Sequence, residues 1–278
     1  MNAESKFAKE VSQGDRFEFG KNWQKFLSVL NDERIAEAEK SLQDTLGYET
    51  LSGKTFLDIG SGSGLFSLVA RRLGAHVYSF DYDPHSVNCT NELKRRYFND
   101  DPNWKITQGS ILDKDFLLSL PKFDIVYSWG VLHHTGSMWQ AIENALIPLA
   151  ETGEVFIALY NDQGSKSVYW TNVKKLYNNG FLGKAAVLSV FIPRYVILPL
   201  FKDLVLFTNP MKRYTDYKKH RGMSRFYDFL DWWGGLPFEV ASIESVLHFF
   251  QKRGFYLKEL RTVNGGSGCN EFVFKKIA

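Results

Sequence analysis

The chain has 278 residues, 15% of them aromatic, and a net charge of only +3, enough for one full α/β domain with an insertion or two small domains. The near-balanced charge gives no global case for nucleic-acid binding, and two distant cysteines, Cys89 and Cys269, exclude a disulfide framework or a zinc site. The polar start "MNAESKFAKEVSQGDRFEFG" lacks the apolar core of a secretion signal, which predicts a cytoplasmic protein.

In chain order, Trp23, Phe26, Leu27, Leu30, Ile35, Ala38 and Leu42 recur at helical spacing, predicting a helix over 20–46. Short apolar runs then alternate with helical stretches. "KTFLDIG" reads as a buried strand, "GLFSLVARRLG" as a helix closed by Gly74, and "HVYSFDYD" as a second strand. Pro84 opens the next helix, where a missing N–H costs nothing. "WKITQGS" and "FDIVYSWG" are the third and fourth strands. "SMWQAIENALIPLA" is a helix with Met138, Ile142, Ala145, Leu146 and Leu149 inward, and "GEVFIALYND" is the fifth strand. After a long basic segment come an amphipathic helix, "SIESVLHFFQKRG", and two strands, "FYLKELRTV" and "CNEFVFKKI". Only "NGGSG" separates those strands, too little for a crossover, so they form an antiparallel hairpin. Alternating strands and helices predict a parallel sheet covered on both faces, closed by that hairpin.

The glycine stretch "FLDIGSGSG" raises the question of a ligand. A dinucleotide fingerprint needs G-x-G-x-x-G, which after Gly60 and Gly62 requires glycine at 65; the residue there is Leu65. The run is Gly60-Ser61-Gly62-Ser63-Gly64, preceded by Asp58. A carboxylate just ahead of the glycines suits a ligand bearing an ammonium group and repels a pyrophosphate.

"FLDIGSGSG" resembles the first motif of the class I S-adenosylmethionine (SAM) dependent methyltransferases, and further motifs follow in that family's order over residues 54–160. The resemblance implies a Rossmann-like fold, SAM as cofactor, and a glycine loop of Gly60, Ser61, Gly62 and Gly64. Asp58 stands at the family's motif acid. Asp81, ending "YSFDYD", matches the acid that hydrogen-bonds the ribose hydroxyls, and Tyr82 the residue against adenine. In "ITQGSILD", Ser110 and Ile111 match the motif framing the adenine edge, with Ser110 where many members carry Asp. Ser128, in "FDIVYSWGVLHHT", matches a position near the methionine end of SAM.

The family does not fix the methyl acceptor. "SWGVLHH" lacks the Pro-Pro run of amino-methylating enzymes, neither cysteine matches a nucleophile position, and the fourth strand offers no carboxylate for a metal, so none is expected. The chain is similar to small-molecule O-methyltransferases of the ubiquinone-biosynthesis type, which place a Leu-x-His where this chain has Leu132, His133 and His134. The acidic neighbours of that histidine are replaced here by Gly130 and His133. Transfer to a hydroxyl needs alignment, exclusion of water and removal of a proton, and histidine is the usual base near neutral pH. His134 is the first candidate base and His133 the second; the alternative is that one caps a helix and the other packs beside the cofactor.

Between Gln163 and Gly235 twelve Lys/Arg face four Asp, so this segment carries +8 and the remainder −5. It follows the fifth strand at the end where ligands bind, which predicts a lid or acceptor pocket over residues 163–240, beside an N-terminal helical cover over residues 1–50. Within it, "AAVLSVFIPRYVILPLF" (185–201) is strongly apolar. Pro193, Arg194 and Pro199 interrupt it, and it is short for a bilayer span, so no transmembrane segment is expected. A helical cap, a peripheral membrane contact and a self-association surface all remain open for it. Tyr160, Asn161, Arg221, Trp232, Asn264 and Asn270 are the candidate acceptor-binding residues. The expected activity is O-methylation of a small metabolite, sugar or quinone-like acceptor. An RNA or protein methyltransferase and a non-catalytic SAM-binding scaffold are the alternatives.

Overall fold

The computed structural model describes residues 3–206, 209 and 232–277. Three helices precede the sheet: α1 (Ala3–Ser12), α2 (Gly20–Leu27) and α3 (Asp32–Leu46). The single helix expected over 20–46 is therefore two. Asn31 takes an extended conformation and its side-chain oxygen accepts the Arg34 N–H, capping α3 and ending any continuation from α2.

The core then alternates as β1 (Thr55–Ile59), α4 (Leu65–Arg72), β2 (His76–Asp81), α5 (Pro84–Tyr97), β3 (Trp104–Gln108), α6 (Lys114–Ser119), β4 (Phe123–Trp129), α7 (Met138–Ala145) and β5 (Leu149–Tyr160). The helix expected over 137–150 stops early at Ala145, ahead of Pro148, and Leu149 belongs to β5 instead. After β5 come α8 (Ser165–Asn178), α9 (Gly180–Ile192), a wide π turn (Pro193–Ile197) and α10 (Leu198–Val205). α11 (Ile243–Gln251), β6 (Phe255–Arg261) and β7 (Cys269–Lys276) close the chain.

The strands form one seven-stranded sheet in the order β3-β2-β1-β4-β5-β7-β6. β1 to β5 are parallel, while β7 runs antiparallel to both β5 and β6, as the short "NGGSG" connection requires. The side chains of β1 alternate between two cores. Leu57 and Ile59 pack with Val126, Ile142, Val246 and Phe250 on one face; Phe56 packs with Ile35, Leu42, Leu68 and Leu93 on the other. This is a Rossmann-like architecture with the strand order reversing between β1 and β4, where open α/β sheets hold their ligands.

The apolar run 185–201 departs from expectation. Pro193 and Pro199 do not end the helix: the chain stays helical from Gly180 to Val205, 26 residues, long and apolar enough to cross a membrane. A proline removes one N–H and crowds the preceding turn; the π turn at Pro193–Ile197 widens the helix there and absorbs both defects. One side of this helix is anchored, with Val187 and Phe191 buried against Tyr177 and Trp233.

Candidate active site

The glycine loop sits at the C-terminal end of β1 and turns into α4. Gly60, Gly62 and Gly64 all have positive φ (74°, 55° and 81°), which side chains rarely adopt. A Cβ at Gly60 would lie 2.4 Å from Val131 Cγ1, so the loop can pass close under the β4–α7 connection only as glycine. The Ser61 hydroxyl lies 2.8 Å from Thr90 Oγ1 on α5.

Asp81 ends β2 beside this loop. Its Oδ2 accepts the Gly62 N–H at 2.9 Å and its Oδ1 the Asp83 N–H at 2.9 Å. Burial pushes its carboxyl up to about 6 against these bonds. The Tyr82 N–H also bonds this carboxylate, so backbone donors fix its orientation at the end of β2. Tyr82 follows, its ring edge-on to Phe7 and under the Arg16 guanidinium at 4.9 Å, its hydroxyl donating to Glu10. The N-terminal helices thus lie over the ligand end of the sheet. The Gly20 N–H donates to Asp83 Oδ2, and Trp23 stands at 3.0 Å from the Cβ position of Gly62.

Two of the predicted cofactor residues make bonds inside the fold. Asp58 is only 2% exposed and accepts the Ser67 hydroxyl at 2.5 Å, in a buried chain that continues through Ser79 to the Trp104 indole N–H. Its carboxyl therefore fastens α4 to β1. Burial raises it to about 7, with Asp81 adding to the rise and the Ser67 hydroxyl opposing it. Ser128 is fully buried and donates to the Ile59 carbonyl, joining β4 to β1. Ser110 accepts the Leu112 N–H, and the carbonyl of the buried Ile111 accepts from Asn144.

The raised Asp58 value has a measurable consequence. The folded state holds this proton more tightly than the unfolded chain, whose value is near 3.8, so its contribution is full below that pH and lost as pH rises through about 7. Asp58→Asn keeps an acceptor for Ser67 and removes the titration. Relative to the variant, the wild type should lose about 2–4 kcal/mol of stability between acid and mildly alkaline pH. Chemical denaturation across that range reads it; parallel curves would refute the assignment.

His133 and His134 lie in a short helical turn, Leu132–His134, directly after β4. His134 Nδ1 is 2.6 Å from the Pro237 carbonyl, which can only accept, so Nδ1 carries the proton and Nε2 keeps a lone pair. Its burial, and then the cations Lys174 and Arg16, push the ring down to about 3 despite the Pro237 bond. The His133 ring is fully buried, held neutral first by burial and then by His134 and Lys174. Its Nδ1 accepts the Tyr160 N–H, which leaves the proton on Nε2, an atom without a hydrogen-bond partner among the described residues.

Tyr160 packs on both histidines, 3.9 Å from His133 and 5.4 Å from His134 between ring centres, and 5.8 Å from Trp232. Tyr160, Asn161, Trp170, Trp232, Phe238 and Gly268 line a narrow crevice at this end of the sheet. Tyr160, Asn161 and Trp232 are thus brought together. Asn161 and Asn270 are bonded to each other at 3.0 Å, and Asn270, buried, also accepts the Val263 N–H, so this pair holds the hairpin turn against β5. Asn264 is an exposed turn residue at φ 49°, its side chain on Thr262. Arg221 lies outside the described residues. Both thiols are raised, Cys89 to about 11 and Cys269 to about 12, first by burial, which makes them poor nucleophiles.

Sequence reasoning missed several neighbours of this site. Arg16 donates to the His134 carbonyl, Phe19 packs on the His134 ring at 4.9 Å, and Lys174, 1% exposed, bonds the Trp232 carbonyl and lies over the Trp232 and Phe238 rings. No motif marks them; only the excess of aromatics and cations in 163–235 points toward Lys174.

Comparison with known proteins agrees with this geometry. Residues 50–191 match a family model described as "Methyltransferase domain". A tRNA U34 carboxymethyltransferase of Pseudoalteromonas translucida is 28% identical over 66% of this chain and 56% of its own length. A ribosomal protein L11 methyltransferase of Prochlorococcus marinus is 32% identical over 49% of this chain and 45% of its own. The chain therefore spans about half the length of these curated relatives. Among solved structures, a magnesium protoporphyrin IX methyltransferase from Synechocystis with bound SAH has a TM-score of 0.52 at 11% identity, covering 92% of this chain and 95% of that one. A putative S-adenosylmethionine-dependent methyltransferase from Listeria monocytogenes has a TM-score of 0.53 at 14% identity, covering 87% and 100%. With the family model spanning the glycine loop, the β2 acid and the histidine turn, the chain belongs to the class I SAM-dependent methyltransferases.

Proposed function

We propose that this methyltransferase acts on a hydroxyl oxygen of a small acceptor, a metabolite, sugar or quinone-like molecule, admitted beside Tyr160, where the aromatic crevice, about 10 Å³ in volume, has to widen around it. The observation that carries this reading is the tautomer of His134: its Nδ1–H is fixed on the Pro237 carbonyl and its Nε2 is left as a proton acceptor. In this reading the glycine loop, Gly60 to Gly64, cradles SAM through backbone atoms. Asp81 takes the ribose hydroxyls on its carboxylate, and Tyr82, Ser110 and Ile111 border the adenine. Asp58 and Ser128 act from beneath, by fixing α4 and β4 to β1.

SAM supplies a methyl carbon activated by its sulfonium. With SAM bound, the crevice residues would hold the acceptor hydroxyl toward the activated methyl and exclude water, and His134 Nε2 would take the hydroxyl proton. We assign residues 1–50 as a cover and 163–240 as the acceptor side; Arg16, Phe19 and Trp23 from the first, and Lys174 and Trp232 from the second, support this.

One observation favours a second reading, an RNA acceptor. The 163–235 segment carries +8, and relatives of similar sequence are named for a tRNA uridine. Incubation of the protein with methyl-labelled SAM and fractionated cell extract separates the two. Label in a small product that survives nuclease and protease supports the first reading. Label lost on nuclease treatment transfers the assignment to RNA, and label lost on protease treatment overturns both.

A further inference from the structure

The helix Gly180–Val205 exposes an apolar surface that the methyl-transfer site does not explain. At 1.5 Å per residue it is about 39 Å long, and Phe181 and Leu182 are 84% and 81% exposed near its start, Phe201 and Leu204 64% and 62% near its end. Val190 and Leu198 are exposed between them, so apolar side chains meet solvent along the helix's whole length. Single exposed apolar residues are ordinary, but so many along one element mark a contact surface.

Charge says what the contact is. Lys184, Arg194 and Lys202 are exposed along this helix, and its one acid, Asp203, is buried. If two copies paired antiparallel through this helix, Lys184 of one would meet Lys202 of the other, a like-charge approach that works against self-association. A bilayer with anionic headgroups takes both features at once, the apolar side chains among the acyl chains and the cations at the phosphates. Spanning the bilayer is disfavoured, because Arg194 stands at mid-helix and Val187 and Phe191 are packed on the domain.

We propose that Gly180–Val205 is an in-plane docking helix that seats the enzyme on an anionic membrane surface. The same helix adjoins the crevice. Phe191 lies 5.6 Å from Trp170, Trp170 5.5 Å from Trp232, and Trp232 5.8 Å from Tyr160, a continuous aromatic path from the exposed helix to the histidines. The docking surface itself does not depend on which acceptor is methylated.

The test is cosedimentation of the full-length protein with vesicles of phosphatidylcholine alone and with about a third phosphatidylglycerol. The wild type should bind the anionic vesicles, with added salt weakening the binding. Phe201→Glu/Leu204→Glu should lower partitioning about tenfold or more while SAM binding by calorimetry stays intact. Lys184→Gln/Lys202→Gln, a milder change, should lower the preference for anionic over neutral vesicles. No sedimentation with either vesicle overturns the proposal, as does binding indifferent to both double variants. A concentration-dependent oligomer abolished by the Phe201/Leu204 substitutions, without vesicle binding, assigns the face to a second copy and overturns it equally.

Discussion

Asp81→Ala should lower SAM affinity by about 30-fold or more, the larger part of two charge-assisted hydrogen bonds. The effect has two sources in one side chain. In the proposed site the carboxylate would accept the ribose hydroxyls; it also pins the Gly62 and Asp83 N–H groups, so its loss loosens the glycine loop. Asp81→Asn separates them, because an amide keeps one acceptor and cannot serve both N–H groups and a diol. The alanine variant should therefore be the weaker binder, with asparagine between it and the wild type. Calorimetric titration with SAM measures both, and an affinity unchanged by Asp81→Ala would remove the residue from the cofactor site.

His134→Ala should slow methyl transfer by about 10²–10⁴-fold, the usual range for a lost general base, with SAM affinity nearly intact. The pH profile gives a signature that a packing role would not. With its folded value down at about 3, His134 stays neutral and its Nε2 available far below the pH at which an ordinary histidine protonates. At saturating SAM, which removes the effect of Asp81 titrating at about 6, the wild-type rate should then show no acid limb near 6.5, where a solvent-exposed histidine would impose one. His134→Gln keeps a donor for the Pro237 carbonyl but supplies no comparable base, so it should fail like alanine. A rate within a few-fold of wild type for both variants would mean that alignment alone drives transfer.

Much of the fold was legible because its signals are local. The glycine run, the "FDYD" strand end and the five-residue hairpin connection each dictate their own geometry: positive φ at a strand-to-helix turn, an acid at the end of β2, and antiparallel pairing. The errors fell where a local signal was outvoted. Apolar spacing ran through residue 30, yet the Asn31 cap divides the helix. Two prolines read as breaks, yet a π turn carries the helix past them. Leu149 fitted the helical period and is a strand residue, because Pro148 stops the helix first.

The candidate site divides along the same line. The sequence by itself determined the sheet, the position of the glycine loop and the residues at the ends of β2 and β4, since these follow from periodicity and turn chemistry within a few residues. Only the tertiary structure decided what each of those residues bonds to within the fold. Asp58 and Ser128 sit in the right motifs, but alternation along β1 and β4 and the packing of α4 turn their polar atoms into the sheet. The tautomer of His134 is fixed by Pro237, more than a hundred residues later, and its ring is kept neutral by burial and by Arg16 and Lys174, which lie on either side of the motif in sequence. A histidine's proton is placed by whatever carbonyl and cation stand beside it, and those neighbours exist only once the chain has folded.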